Sequence, residues 1–157
     1  MKPDDFLKSA DDLLKLNRGR PTQVNLRRAC SAVYYAMFHA LCQCCADHLI
    51  GRAARKSTKR AWLQTYRSVD HKQARERFRS QVMKRFPDEL QDFGNTFVSL
   101  QEKRHKADYD PNERFYKSAI IADISSAEAA IEKFGNAEAA DRKALSAHVL
   151  MKYRLED

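Results

Sequence analysis

Apolar residues recur along this chain at steps of three and four, and each such run predicts a helix. Phe6, Leu7, Ala10, Leu13 and Leu14 form a stripe over residues 4–16, which "NRGRPT" interrupts with Gly19 and Pro21. Residues 23–50 carry two stripes: Leu26, Cys30, Val33, Met37, Leu41 and Cys44, and Ala32, Tyr35, Phe38 and Cys42. A helix apolar on two faces belongs in the middle of a bundle or at a subunit contact. The basic stretch 51–60, "GRAARKSTKR", reads as a loop, and "AWLQTYRSV" adds a short helix with Trp62 and Tyr66 four apart. Asp70 with Gln73 resembles a capping box that opens a helix over 71–86, ended by Phe86-Pro87. Residues 88–108 form the next helix. Asp110-Pro111-Asn112-Glu113 has the acidic cap, early proline and following glutamate of another helix start. Ile120, Ile124, Ala127, Ile131 and Phe134 then run to a terminating Gly135, and residues 137–154 form a last, mixed helix. The expected fold is all-α: one domain over 1–157, a four-helix up-and-down type bundle with additional short and C-terminal helices.

One stripe does not end as a buried face should. Leu90, Phe93, Phe97 and Leu100 lead on to Arg104 and Ala107. A guanidinium where the core should continue marks the end of "LQEKRHKADYDP" as a candidate site.

Composition narrows the setting. Four glycines and four prolines in 157 residues leave little material for the turns of an all-β fold. No apolar run reaches the roughly 18 residues of a membrane span, and the charged N-terminal segment has no signal-peptide core, so a cytoplasmic chain without membrane association is expected. Disulfides are then unexpected for Cys30, Cys42, Cys44 and Cys45. Cys42 and Cys45 have a spacing that a metal could use, but no second pair completes a zinc shell. They read as small buried side chains, with no metal and no cofactor.

The net charge of +8 is concentrated. Residues 51–86 hold twelve Lys or Arg against Asp70 and Glu76, whereas residues 1–50 sum to +2 and residues 87–157 to −4. A basic block of this kind suits a phosphate backbone, or simply a solvated face.

Two segments carry a family resemblance. "LRRACSAVYYAMFHALC", Leu26 to Cys42, is similar to the second helix of HEPN-domain proteins, with its Arg-Arg-Ala-x-Ser-x-x-Tyr-Tyr-Ala-x-Phe-His string. "LQEKRHKADYDP" resembles the end of their third helix, with its Arg-His-x-Ala-Asp-Tyr-Asp string. The predicted helix order extends the match over roughly residues 4–134, and residues 137–157 look like an extension. The resemblance implies a bundle that forms a homodimer, and a toxin-like metal-independent ribonuclease of a toxin–antitoxin or defence system. It implies as partners RNA or nucleotide, and a minimal nucleotidyltransferase acting as antitoxin. The alternative is a non-catalytic HEPN module that binds nucleotide, RNA or that nucleotidyltransferase.

The residue types suit that chemistry. Metal-free RNA cleavage needs a group to take the ribose 2′-hydroxyl proton and a cation to hold the phosphate, tasks for histidine and arginine. Arg104 matches the family arginine. The family histidine lies five to seven positions later, where this chain has Tyr109, Asp110 and Pro111; the nearby histidine is His105, about 100 degrees round the helix from Arg104. The candidate catalytic residues are therefore Arg104, His105, Asp108 and Tyr109, with Tyr109 also the candidate for modification by a nucleotidyltransferase. Arg27, Arg28, His39, His71, Lys72 and Arg75 are the candidates for contacting nucleic acid or nucleotide. Most of these also have a plain structural role open to them: an ion pair between Arg104 and Asp108, neutralisation of the Asp108 or Asp110 carboxylates by Arg27 and Arg28, packing for His39, a shared exposed face for His105 and Tyr109, and solvation for His71.

Overall fold

The computed structural model describes residues 1–52 and 56–154. Among these, seven α-helices and one short 3₁₀ turn account for the regular structure, with no strand, as the all-α expectation requires. The helices are α1 (Pro3–Gly19), α2 (Gln23–Leu49), α3 (Lys56–Arg67), α4 (His71–Phe78), α5 (Asp88–Tyr109), α6 (Lys117–Asn136) and α7 (Ala139–Leu150). The 3₁₀ turn, Gln81–Arg85, joins α4 to α5.

Helix α2 is the axis of the molecule and packs against α1, α3, α5, α6 and α7. Both stripes contribute: the first is buried, and Ala32, Tyr35 and Phe38 of the second pack half-buried against the same core. Leu26, Cys30, Val33, Met37 and Leu41 are buried, as is Tyr34, which belongs to neither predicted stripe. By length and composition α2 is apolar enough to cross a membrane, against the expectation that no run approaches that size; most of it is buried among the other helices. One connected core runs from Leu7 of α1 to Val149 of α7, so the predicted C-terminal extension shares the interior of the bundle. The four cysteines are free and buried within it, and burial pushes the Cys30 and Cys45 thiols up to about 12.

Local chemistry sets most boundaries. Leu16 turns extended and Asn17 and Arg18 take positive φ, so the α1 helix proper stops there, before Gly19. Thr22 caps α2 by accepting from the Asn25 amide at 3.3 Å, and Asp70 caps α4 by accepting from the Gln73 amide at 2.8 Å.

Four sequence expectations shift. Residues 56–60 of the predicted basic loop are the first turns of α3, while residues 53–55 lie outside the described residues. The predicted 71–86 helix divides at Arg79-Ser80, where the Ser80 hydroxyl donates to the Arg77 carbonyl and closes the turn. The helix expected from Pro111 starts at Lys117. There Asp110 accepts from the Asn112 amide at 2.9 Å in an Asx turn, and the Gln23 side chain holds both the amide and the carbonyl of Phe115, so α2 takes backbone groups that a helix would have used. Gly135 lies within α6 and does not adopt the left-handed conformation of a helix stop.

Helix α4 reaches α5 closely because Gly94 has no side chain. A Cβ at Gly94 would lie 2.7 Å from Cδ1 of Phe78, whose ring is packed against Phe93 and Phe97. Gly94→Ala is expected to cost about 1–3 kcal/mol through overpacking, offset by roughly 1 kcal/mol of helix propensity. Urea unfolding should show the net loss, with the midpoint lowered and the slope unchanged.

Candidate functional site

Arg104 occupies the end of the α5 stripe, and the aromatic pair of α2 explains how a guanidinium fits there. Its Cζ lies 5.2 Å from the centroid of the Tyr34 ring and 5.7 Å from that of Tyr35. One terminal nitrogen donates to the Tyr35 hydroxyl at 3.3 Å, and the same nitrogen is 3.4 Å from the Asp108 carboxylate one turn on. The planar cation replaces an apolar side chain because aromatic faces accept it. The side chain is only 16% exposed, and its Nε is buried without a hydrogen-bond partner.

From this point a cleft of 540 Å³ opens between α4 and α5. His71, Lys72 and Arg75 form one wall; Arg104, His105 and Lys106 form the other, with Gln101 and Glu102 beside them. Three of the four cations have a carboxylate partner: Arg75 with Glu102 at 2.9 Å, Arg104 with Asp108 at 3.4 Å and Lys106 with Glu113 at 3.7 Å. Gln101 stitches the walls together by donating to the His71 carbonyl at 2.8 Å.

His71 is held tightly for a residue at the first position of a helix. Its Nδ1 is 2.6 Å from the Tyr34 hydroxyl, and its ring stacks on Phe38 with centroids 3.9 Å apart. Burial, with the Arg104 charge second, holds its pKa below the ordinary value, against the opposing pull of Asp70. Burial likewise pushes the Tyr34 hydroxyl well above the usual phenol range, so it stays protonated.

The sequence candidates separate into groups. Arg104, His105, His71, Lys72 and Arg75 meet on the cleft. Asp108 reaches it through Arg104 and also accepts from the Ser31 hydroxyl at 2.7 Å. Tyr109 is outside the lining: it is 68% exposed, and its ring leans on His105 at 5.0 Å. His39 is elsewhere, stacked on Phe6 at 4.8 Å and hydrogen-bonded to the Tyr66 hydroxyl at 2.6 Å, in the contact that holds α3 to α2. Arg28 lies exposed on a second groove with Phe6, Leu13, Val24 and Tyr35.

Arg27 meets neither Asp108 nor Asp110 by its carboxylate. It donates to the carbonyls of Ala107, Asp110 and Glu113 at 2.9, 2.8 and 2.5 Å, and its guanidinium lies over Phe115. It closes the C-terminal end of α5, where the last carbonyls have no partner within the helix. Among the described lysines and arginines of the basic block, only Lys72 and Arg75 line the cleft. Arg77 turns instead to the C-terminal segment, donating to the Met151 carbonyl at 3.0 Å and lying over Tyr153. Sequence reading missed Tyr34, Gln101, Glu102 and Lys106. Tyr34 had a signal, since it lies four residues after Cys30 and three before Met37 on a buried face; the others had none, because polar residues on α5 read as a solvated side.

No family model, no curated protein and no solved structure matches this chain. What the fold and the site define directly is an all-helical bundle with a cationic, histidine-bearing cleft at the α4–α5 contact.

Two outcomes follow for stability. Arg27→Ala should cost about 1.5–3 kcal/mol, the scale of hydrogen bonds to a charged group, whereas Arg28→Ala should stay within about 0.5 kcal/mol; chemical denaturation of both variants checks the contrast. The second outcome concerns pH. Burial lowers the pKa of His39, His71 and His148 in the folded chain. The unfolded chain therefore binds more protons below the unfolded histidine value of about 6.5, and stability present above that pH is lost as pH falls through the folded values. Thermal unfolding should show Tm dropping between about pH 6.5 and 5, before carboxylates titrate.

Proposed function

We propose that this chain is a HEPN-type, RNA-directed protein: a toxin-like, metal-independent ribonuclease of a toxin–antitoxin or defence system. The observation that carries the reading is that the two segments resembling the family come together around Arg104. Tyr34, Tyr35 and Ser31 belong to one, Arg104 and Asp108 to the other, and Arg104 bonds to Tyr35 while Asp108 bonds to Ser31. Arg104 is held by aromatic faces and one carboxylate, and lysines stand on both walls. In this reading a backbone phosphate lies against Arg104, which offsets the charge gathering on its oxygens as the ribose 2′-oxygen attacks. Lys72 and Lys106 hold the flanking phosphates. The chain acts as a homodimer in which the α2 face with exposed Val24 and Arg28 and half-buried Tyr35 meets a second copy, next to the cleft.

A second reading has its own observation. Tyr109 is exposed at the end of α5, with its ring against His105 on the rim of the cleft. A nucleotidyltransferase partner adding a nucleotide to that hydroxyl would place negative charge beside the cations and close the cleft, whether or not the chain cleaves RNA. A non-catalytic binding module would be controlled in the same way.

Purified protein incubated with labelled RNA in excess chelator decides between them. The ribonuclease reading expects cleavage under these conditions, lost by about 10²-fold or more in Arg104→Ala, with circular dichroism unchanged and RNA affinity falling steeply with salt. Cleavage that needs added metal, or an Arg104→Ala variant as active as the parent, overturns it. Salt-sensitive, Arg104-dependent binding without cleavage selects the binding module.

A further inference from the structure

The two histidines on the cleft are held very differently. His105 stands on the exposed side of α5, with only the tilted contact to Tyr109 at 5.0 Å and no hydrogen bond to either ring nitrogen among the described residues. His71 is fixed from three directions. Its ring stacks on Phe38 at 3.9 Å and 20°, meets Tyr35 edge-on at 6.1 Å, and is tied through Nδ1 to Tyr34 at 2.6 Å. The same Tyr34 ring carries the Arg104 guanidinium on its face. One buried phenol therefore sets both the cation and the imidazole, and Nδ1 is occupied, which leaves Nε2 as the nitrogen free for the cleft.

Resting on the ribonuclease reading above, we propose that His71 on α4, and not His105 beside the arginine, is the general base of this cleft, with Tyr34 as its positioning residue. In the step, Nε2 of His71 takes the proton of the ribose 2′-hydroxyl as that oxygen attacks the phosphorus held by Arg104. The bond from the 2′-oxygen to phosphorus forms and the bond from phosphorus to the 5′-oxygen breaks. The 5′-oxygen leaves with a proton from water, and His71 returns its own proton to solvent. The products are a 2′,3′-cyclic phosphate and a free 5′-hydroxyl.

The protonation states agree with this assignment. Facing His71 are Arg104, Glu102, His105 and Lys106 on α5, Tyr34 and His39 on α2, and Asp70, Lys72 and Arg75 on its own element. Burial and Arg104 outweigh Asp70, so the imidazole is neutral at neutral pH, the state a base needs. A lone pair on Nε2 requires the hydrogen on Nδ1, donated to the Tyr34 oxygen. The Tyr34 oxygen then accepts from Nδ1 of His71 and from the Gln101 amide N–H.

The experiment uses the full chain in chelator with two probes, an RNA oligonucleotide and a nucleoside 3′-(4-nitrophenyl phosphate), whose leaving group departs without a proton. His71→Gln should lower kcat by about 10²–10⁴ on both probes, with KM little changed. The parent rate should rise with pH through the His71 titration, below the ordinary histidine value, and that limb should vanish in His71→Gln. Tyr34→Phe should retain the limb but move it. A parent that cleaves while His71→Gln keeps its rate and its limb overturns the assignment and leaves the ribonuclease reading standing. Loss on RNA with recovery on the nitrophenyl ester also overturns it, since His71 would then be an acid. A parent that cleaves neither probe from about pH 5 to 8 overturns the ribonuclease reading itself and the assignment with it. Should His71→Gln not fold, an unchanged pH limb in Tyr34→Phe overturns the assignment.

Discussion

Tyr34 is wholly buried, and α5 and α4 both use it. Its ring edge packs on Phe97 of α5, its face carries Arg104, and its hydroxyl holds His71 of α4. A buried phenol must satisfy its hydroxyl, and it does so with a side chain on the cleft wall. The same residue therefore fills the core and fixes the site. A site built this way is stiff, because neither Arg104 nor His71 can move without disturbing packing inside the bundle.

The rest of the molecule supplies α2 with neighbours and then holds α4 where Tyr34 can reach it. Gly94 lets Phe78 pack onto α5, Asp70 closes the N-terminus of α4, and Gln73 donates to the Val149 carbonyl at the end of α7. The C-terminal segment is thereby part of the support for the cleft. His148 adds to this by contacting the Arg77 carbonyl at 3.0 Å and the Ser80 hydroxyl at 3.2 Å, which secures the break after α4. At the other end of α5, Arg27 gathers carbonyls from a segment that would otherwise have extended a helix. Both devices use polar side chains to end helices where the apolar pattern alone would have run on.

That contrast explains what could be read beforehand. The helices were legible because apolar periodicity is a local property, and the interruption of one stripe by Arg104 picked out the residue around which the cleft forms. Lys72, Arg75 and His71 were found as members of a basic segment, but nothing in one dimension separates them from Arg77, which serves the C-terminus instead. Asp110-Pro111-Asn112-Glu113 has the composition of a helix start, and it failed as one because Arg27 and Gln23, some ninety residues away at the start of α2, compete for its backbone. Capping signals describe the local preference; a tertiary guanidinium with several donors outbids it. The pairing of Tyr34 with His71 has no sequence signature, since it depends on how α4 is laid across α2.

Arg104 and His71 impose opposite demands on one another. A cation beside an imidazole keeps it neutral, which frees it to accept a proton but makes the proton less welcome once taken. An anion laid against Arg104 offsets that cation and so raises the proton affinity of His71. Under the proposed reading, the imidazole would gain basicity with a phosphate in place. Coupling of this sign needs the two side chains to share one low-dielectric wall, and the Tyr34 ring is that wall. If the proposed phosphate binds at Arg104, the burial of a single aromatic side chain would link its presence to the protonation of His71, with no conformational change required.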